Sequence, residues 1–161
     1  MIDIVIAEDQ TMLRDALATL LSLESDIAVA GTAATGREAL DLVRRHEPAV
    51  LVTDIEMPGL TGLELAAQLR RDGARTRVLI VTTFDRPGYL RRALEAGVSG
   101  YLLKDTPSTE LAEAVRRVAA GERVIAPGLA EQAWSEADPL TDTERRLLRL
   151  AEAGMDSPAI A

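Results

Sequence analysis

Four short stretches of this chain carry side chains suited to handling phosphate. Glu8 and Asp9 form an acidic pair, Asp54 stands alone, Thr82 and Thr83 offer adjacent hydroxyls, and Lys104 is the sole lysine. The chain holds 18 Lys plus Arg, so every other basic side chain is an arginine. An ammonium is a compact charge on a flexible stem, whereas a guanidinium is a planar fork, and the two do different chemistry. Three carboxylates gathered in one pocket repel each other and call for a hard divalent cation such as Mg2+, which takes few protein carboxylates and keeps water. Carboxylate, cation, mobile ammonium and hydroxyl together make a site for a phosphoryl group. One carboxylate attacks in line while the cation and the lysine offset charge on the transferring oxygens. The product is an acyl phosphate on aspartate.

That chemistry requires the four stretches to meet, and the surrounding pattern predicts that they do. Each follows an aliphatic run: "IDIVIA" (2–7), "AVLVTD" (49–54), "RVLIVTT" (77–83) and "GYLLK" (100–104), with "IAVAGTA" (27–33) as a fifth. Continuous rather than alternating hydrophobicity marks strands buried on both faces, as in a parallel sheet. Between the runs lie amphipathic stretches of helical length, such as "QTMLRDALATLLSLE", where Leu13, Leu17, Leu20 and Leu21 recur at spacings of three and four. Gly73, Gly97 and Gly121 stand where the C′ glycines of three helices belong. Five strand–helix repeats predict an α/β fold, a five-stranded parallel doubly wound sheet of flavodoxin type. Such sheets bind ligands at the carboxyl ends of their strands, which is where all four stretches fall.

Composition narrows the function classes. The chain has 161 residues, 47% of them hydrophobic but only 2% aromatic, so its core is aliphatic. With no cysteine there is no disulfide, thiolate metal site or thiol nucleophile, which suits a reducing compartment. One histidine argues against a His-based triad. No apolar run approaches the ~20 residues that span a bilayer, and the opening "MIDIVIAEDQ" lacks a signal peptide's basic start. The expectation is a cytoplasmic protein without a membrane partner. A net charge of −8 disfavours direct nucleic-acid binding by these residues.

Singly, each candidate has an ordinary structural explanation. A lone Asp after a strand is usually a turn or helix cap, an acidic pair suits a helix start, and a lysine commonly snorkels at the surface. Their joint register at the strand ends carries the argument. "GTAATGRE" (31–38) places Gly31 and Gly36 at phosphate-loop spacing, but Arg37 and Glu38 stand where that motif needs Lys and a hydroxyl, so nucleotide binding there is rejected.

With these residues in place, the chain resembles a two-component response regulator. Its first 121 residues are similar to a receiver domain in the Asp9-to-Asp54 and Thr82-to-Lys104 separations and in the loop "DIEMPGLTGLE". The resemblance implies that Asp54 accepts phosphate from a sensor histidine kinase. It implies Mg2+ held by Glu8, Asp9, Asp54 and the Glu56 backbone carbonyl. Lys104, Thr82 and Thr83 would contact the phosphoryl group, Tyr101 would be the switch aromatic, and Glu56 and Phe84 would tune dephosphorylation. Asp105 departs from the family, where proline commonly follows the lysine, so the resemblance leaves open whether the peptide there is cis. Residues 122–139 read as a linker, and "PLTDTERRLLRLAEAGMDSPAIA" (139–161) resembles the opening of a LuxR-type helix-turn-helix of the NarL/FixJ kind, with a capping box at Thr141 and Glu144. The recognition helix of that domain would lie beyond Ala161, so promoter DNA is expected to bind only the full-length regulator. The resemblance implies a homodimer on phosphorylation, either through a face on the first and fifth helices that includes Ala114, Val115 and Val118 or through one formed by the fourth helix, fifth strand and fifth helix. "IAEDQTML", "TTFDRPGYL" and "EADPLTD" are similar to family members concerned with membrane lipid. Two other readings stand beside this one. A haloacid-dehalogenase-like phosphatase would need a second acid two residues after its nucleophile, where Glu56 is a loose match. The other is a stand-alone phosphorelay receiver without DNA output.

Overall fold

A computed structural model describes residues 1–83 and 88–126. Phe84, the capping box at Thr141 and Glu144, and the linker and helix-turn-helix from residue 127 onward lie outside the described residues.

The aliphatic runs form strands β1 (Ile2–Ala7), β2 (Ile27–Ala33), β3 (Val50–Thr53), β4 (Arg77–Thr82) and β5 (Gly100–Leu103). Helices α1 (Thr11–Ser22), α2 (Gly36–His46), α3 (Gly62–Arg71), α4 (Tyr89–Glu95) and α5 (Ser108–Ala119) alternate with them. A sixth strand, β6 (Val124–Ile125), was not expected; it falls in the stretch read as linker. All neighbours pair in parallel, in the order β2-β1-β3-β4-β5-β6. The described residues therefore form an α/β doubly wound sheet, with six strands rather than five.

Right-handed crossovers with this strand order put α1 on one face and α2, α3 and α4 on the other. α5 packs beside α1. It returns the chain to β6, which two backbone bonds attach to the free edge of β5: Val124 N–H to Ser99 O and Ala126 N–H to Tyr101 O, each 2.9 Å.

The central strands are buried along their apolar runs: Val50, Leu51, Leu79 and Ile80 have no more than token exposure, as continuous hydrophobicity requires. Gly73, Gly97 and Gly121 have φ of 71°, 88° and 96°, the left-handed conformation that ends a helix at little cost to glycine. Two N-terminal caps were not anticipated. Thr35 accepts from Glu38 N–H, and Thr61 with Glu64 forms a full capping box. The first cap explains "TGRE" without any phosphate: Glu38 is a helix-start acid, and Gly36 is required because a Cβ there would lie 2.2 Å from Leu60 O. Among the described residues no helix is long and apolar enough to cross a membrane.

Candidate functional site

Parallel pairing carries β1, β3, β4 and β5 to one edge in register, Ala7 beside Thr53 and Thr82 beside Leu103. The residues just past those ends therefore meet. Glu8 is only 1% exposed and Asp54 is 7% exposed, whereas Asp9 is an exposed residue. Their carboxylate oxygens lie within 4.8 Å of one another. Lys104 Nζ spans the two buried acids, 2.9 Å from Glu8 Oε1 and 3.0 Å from Asp54 Oδ2.

Backbone amides hold the remaining oxygens. Ile55 N–H donates to Asp54 Oδ1 at 2.7 Å, and Gln10 N–H donates to Glu8 Oε2 at 2.9 Å. The Asp54 main chain is packed as closely. Thr53 Oγ1 donates to the Asp54 carbonyl at 2.9 Å, and a Cβ on Gly62 would sit 2.1 Å from that same oxygen. On the other side, Lys104 N–H donates to Thr82 O at 2.7 Å, so the lysine's backbone is tied to the threonine of the next strand.

Electrostatics in the pocket are unbalanced. Burial pushes the Glu8 carboxyl above its ordinary 4.5, and the Gln10 amide and Lys104 only partly oppose this. Burial also pulls on Lys104, but its hydrogen bonds to Glu8 and Asp54 outweigh it and hold the ammonium above its usual 10.5. Three carboxylates face one ammonium, leaving excess negative charge among hard oxygen donors. That donor set fits a small divalent cation such as Mg2+, and among the described residues it is the one group of three acids close enough to hold a metal.

The structure brings Glu8, Asp9, Asp54 and Lys104 together, with Thr82 buried at the end of β4 beside them. Thr83 is exposed one residue past that strand, and Glu56 is exposed in the loop after Asp54. Tyr101 is fully buried on β5. No described peptide bond is cis, so Lys104–Asp105 is trans. The expected dimer face requires correction. Ala114, Val115 and Val118 are at most 3% exposed, because α5 turns that stripe onto the sheet, so they are core and cannot meet a partner. Sequence reasoning also missed Arg14, whose Nη1 donates to the Glu8 carbonyl at 2.9 Å. Its position on the inward side of a helix otherwise lined by leucines was the available signal.

Comparison with known proteins agrees with this geometry. The family model for the response regulator receiver domain matches residues 4–116. The chain is 53% identical over 161 residues to the transcriptional regulatory protein DesR of Bacillus subtilis, covering 100% of this chain and 80% of DesR. It is 32% identical over 169 residues to the nitrate/nitrite response regulator protein NarL of Escherichia coli, covering 98% and 78%. Among solved structures, a LuxR-family DNA-binding response regulator from Staphylococcus aureus superposes with a TM-score of 0.72 at 40% identity, over 74% of this chain and 99% of that one.

Proposed function

The chain belongs to the response regulators, with a receiver domain of the LuxR-family type, and from that premise we propose that Asp54 is its phosphoacceptor. A carboxylate oxygen of Asp54 attacks the phosphorus of a sensor kinase's phosphohistidine. The P–N bond breaks, its electron pair leaves with the imidazole, and Asp54 carries an acyl phosphate. The observation that carries this reading is the position of Asp54: buried just past the end of β3, one oxygen on a backbone amide and the other on the Lys104 ammonium.

Glu8, Asp9 and Asp54, with the Glu56 carbonyl, would hold Mg2+, which when bound offsets charge on the phosphoryl oxygens. Lys104 then exchanges its contact with Asp54 for a phosphoryl oxygen. That shift draws on Thr82 through the Lys104 N–H bond to its carbonyl, and Tyr101, on the strand that ends just before Lys104, responds with it. Phosphorylation adds roughly −1.5 to −2 charges, and Lys104, already paired with Asp54, is the described cation placed to meet them. Thr82 and Thr83 would donate to the phosphoryl group, and Glu56 and Phe84 would set how long the phosphate lasts.

The output is regulation of transcription in the cytoplasm, with 122–139 as linker and 140–161 as the start of the DNA-binding domain. The curated relatives are named as regulators rather than enzymes, which supports a protein that accepts and slowly loses phosphate over a dedicated phosphatase. Self-association on phosphorylation belongs on the outer stripe of α1 and its C-cap, where Met12, Leu20 and Leu23 are 87%, 42% and 75% exposed.

The test is Asp54→Asn incubated with a small phosphodonor and Mg2+, read as a mobility shift on a phosphate-affinity gel. No labelling is expected, and full labelling of the variant would remove Asp54 from its role.

A further inference from the structure

The inward face of α1 contains one residue that does not suit it. Leu21 is buried, and Leu17 and Arg14 lie one and two turns earlier on the same side of the helix. A guanidinium in an apolar stripe must find a polar partner, because leaving it without one in a half-buried place is costly. Helical side chains lean toward the N-terminus, and Arg14 follows that direction back over the first turn. Its Nη1 meets the carbonyl of Glu8 at 2.9 Å.

That carbonyl belongs to the peptide joining Glu8 to Asp9. Glu8 N–H is fixed to Ala33 O at 2.9 Å, and Gln10 N–H to Glu8 Oε2 at 2.9 Å. The residue before α1, Gln10, gives no side-chain cap to the helix. Arg14 therefore supplies the side-chain tie that orients the Glu8–Asp9 peptide plane. Asp9 follows directly on that peptide, and one of its carboxylate oxygens lies within 4.8 Å of those of Glu8 and Asp54.

We propose that Arg14 is a positioning residue for the divalent-cation site: by holding the Glu8 carbonyl it aims Asp9 at the pocket shared with Glu8 and Asp54. This rests on the reading of those three acids as the cation site. A guanidinium near an acidic cluster has two opposed effects on cation affinity. As a mere charge it repels the incoming cation, so removing it would tighten binding. As a brace it pre-forms the site, so removing it loosens binding, and outer-shell partners of this kind typically cost 10–100-fold in affinity when lost. The sign of the change distinguishes the two.

The experiment is calorimetric titration of the chain with Mg2+ and, separately, Mn2+. The proteins are wild type, Arg14→Met and Asp9→Asn, each first shown by thermal unfolding in EDTA to be folded. Arg14→Met is expected to raise the Mg2+ dissociation constant by about tenfold. Unchanged or tighter binding overturns the proposal. If Arg14→Met does not fold, Arg14→Gln takes its place with the same expectation and the same overturning result. Failure of the underlying reading looks different: wild type would bind no Mg2+, or Asp9→Asn would bind as well as wild type.

Discussion

Two clusters in this protein have the same makeup, one cation bridging two carboxylates, and opposite character. Lys104 joins Glu8 and Asp54 at the carboxyl edge of the sheet. Arg116, in the last turn of α5, joins Glu24 and Asp26 ahead of β2, with Nε 2.8 Å from Asp26 Oδ2, and has Glu113 as a third acid at 3.5 Å. The Lys104 side chain is 11% exposed and its acids 2% and 9%, whereas Arg116 is 32% exposed and its acids 32% and 45%. At the open cluster attraction dominates: hydrogen bonding to Arg116 lowers the Asp26 carboxyl and raises the guanidinium. At the closed one, burial overrides attraction for Glu8, and Asp9 adds a third negative charge. Arg116 is a satisfied clamp. Lys104 sits in a closed pocket where solvent does not screen the excess negative charge, and such a pocket suits a cation and a phosphoryl group.

The sharpest way to break this contrast is to remove each cation. Lys104→Met should slow phosphorylation by a small phosphodonor at saturating Mg2+ by about a hundredfold, the usual loss when one oxyanion partner is deleted. Arg116→Met should leave that rate unchanged and lower the melting temperature slightly. Lys104→Arg should keep the charge yet lose phosphorylation-driven self-association in sedimentation, since a planar fork cannot occupy the lysine's place. Equal effects at the two clusters would erase the distinction.

The backbone around the two edges should differ in the same way. Gly62→Ala forces a Cβ against the Asp54 carbonyl, 2.1 Å away, and should cost about 3 kcal/mol in urea unfolding. At the amino edge, Glu47 ends α2 with φ 46°. Glu47→Gly should be neutral or gain up to about 0.5 kcal/mol, because glycine adopts that conformation freely but has more entropy to lose.

The smallest expected effects are in the pH dependence. Asp26 is lowered from 3.8, so its contribution is present above that value and lost as pH falls through the folded-state value. Glu8 is raised from 4.5, so its contribution is fullest below 4.5 and lost as pH rises through the folded-state value. Urea midpoints between pH 3 and 7 in EDTA should show Asp26→Asn flattening the acid loss and Glu8→Gln flattening the decline toward neutrality. The reverse assignment would show that burial does not separate the clusters.

Much of the fold was legible because its signals are local. Aliphatic runs place β1 to β5 within a residue or so, and glycines close three helices because only they take positive φ cheaply. β6 escaped detection because Val124 and Ile125 are held by backbone bonds to β5, which no side-chain period records. The caps at Thr35 and Thr61 were readable in "TGRE" and "TGLE" as hydroxyl and acid three apart. The stripe of Ala114, Val115 and Val118 was recognised as apolar, but sequence pattern does not say whether an apolar face meets a sheet or a second chain.

By itself, the sequence determined which chemistry this protein holds: acids after β1 and β3, a hydroxyl at the end of β4, and a single ammonium after β5. Parallel pairing had to bring them together, and the sequence pattern implied that pairing. Only the tertiary structure decided that Lys104 reaches Glu8 as well as Asp54, that Glu8 is buried while Asp9 is not, and that Arg14 turns inward to the Glu8 carbonyl. Those outcomes depend on desolvation and on distances of a few ångströms between residues far apart in the chain, and no local pattern encodes either.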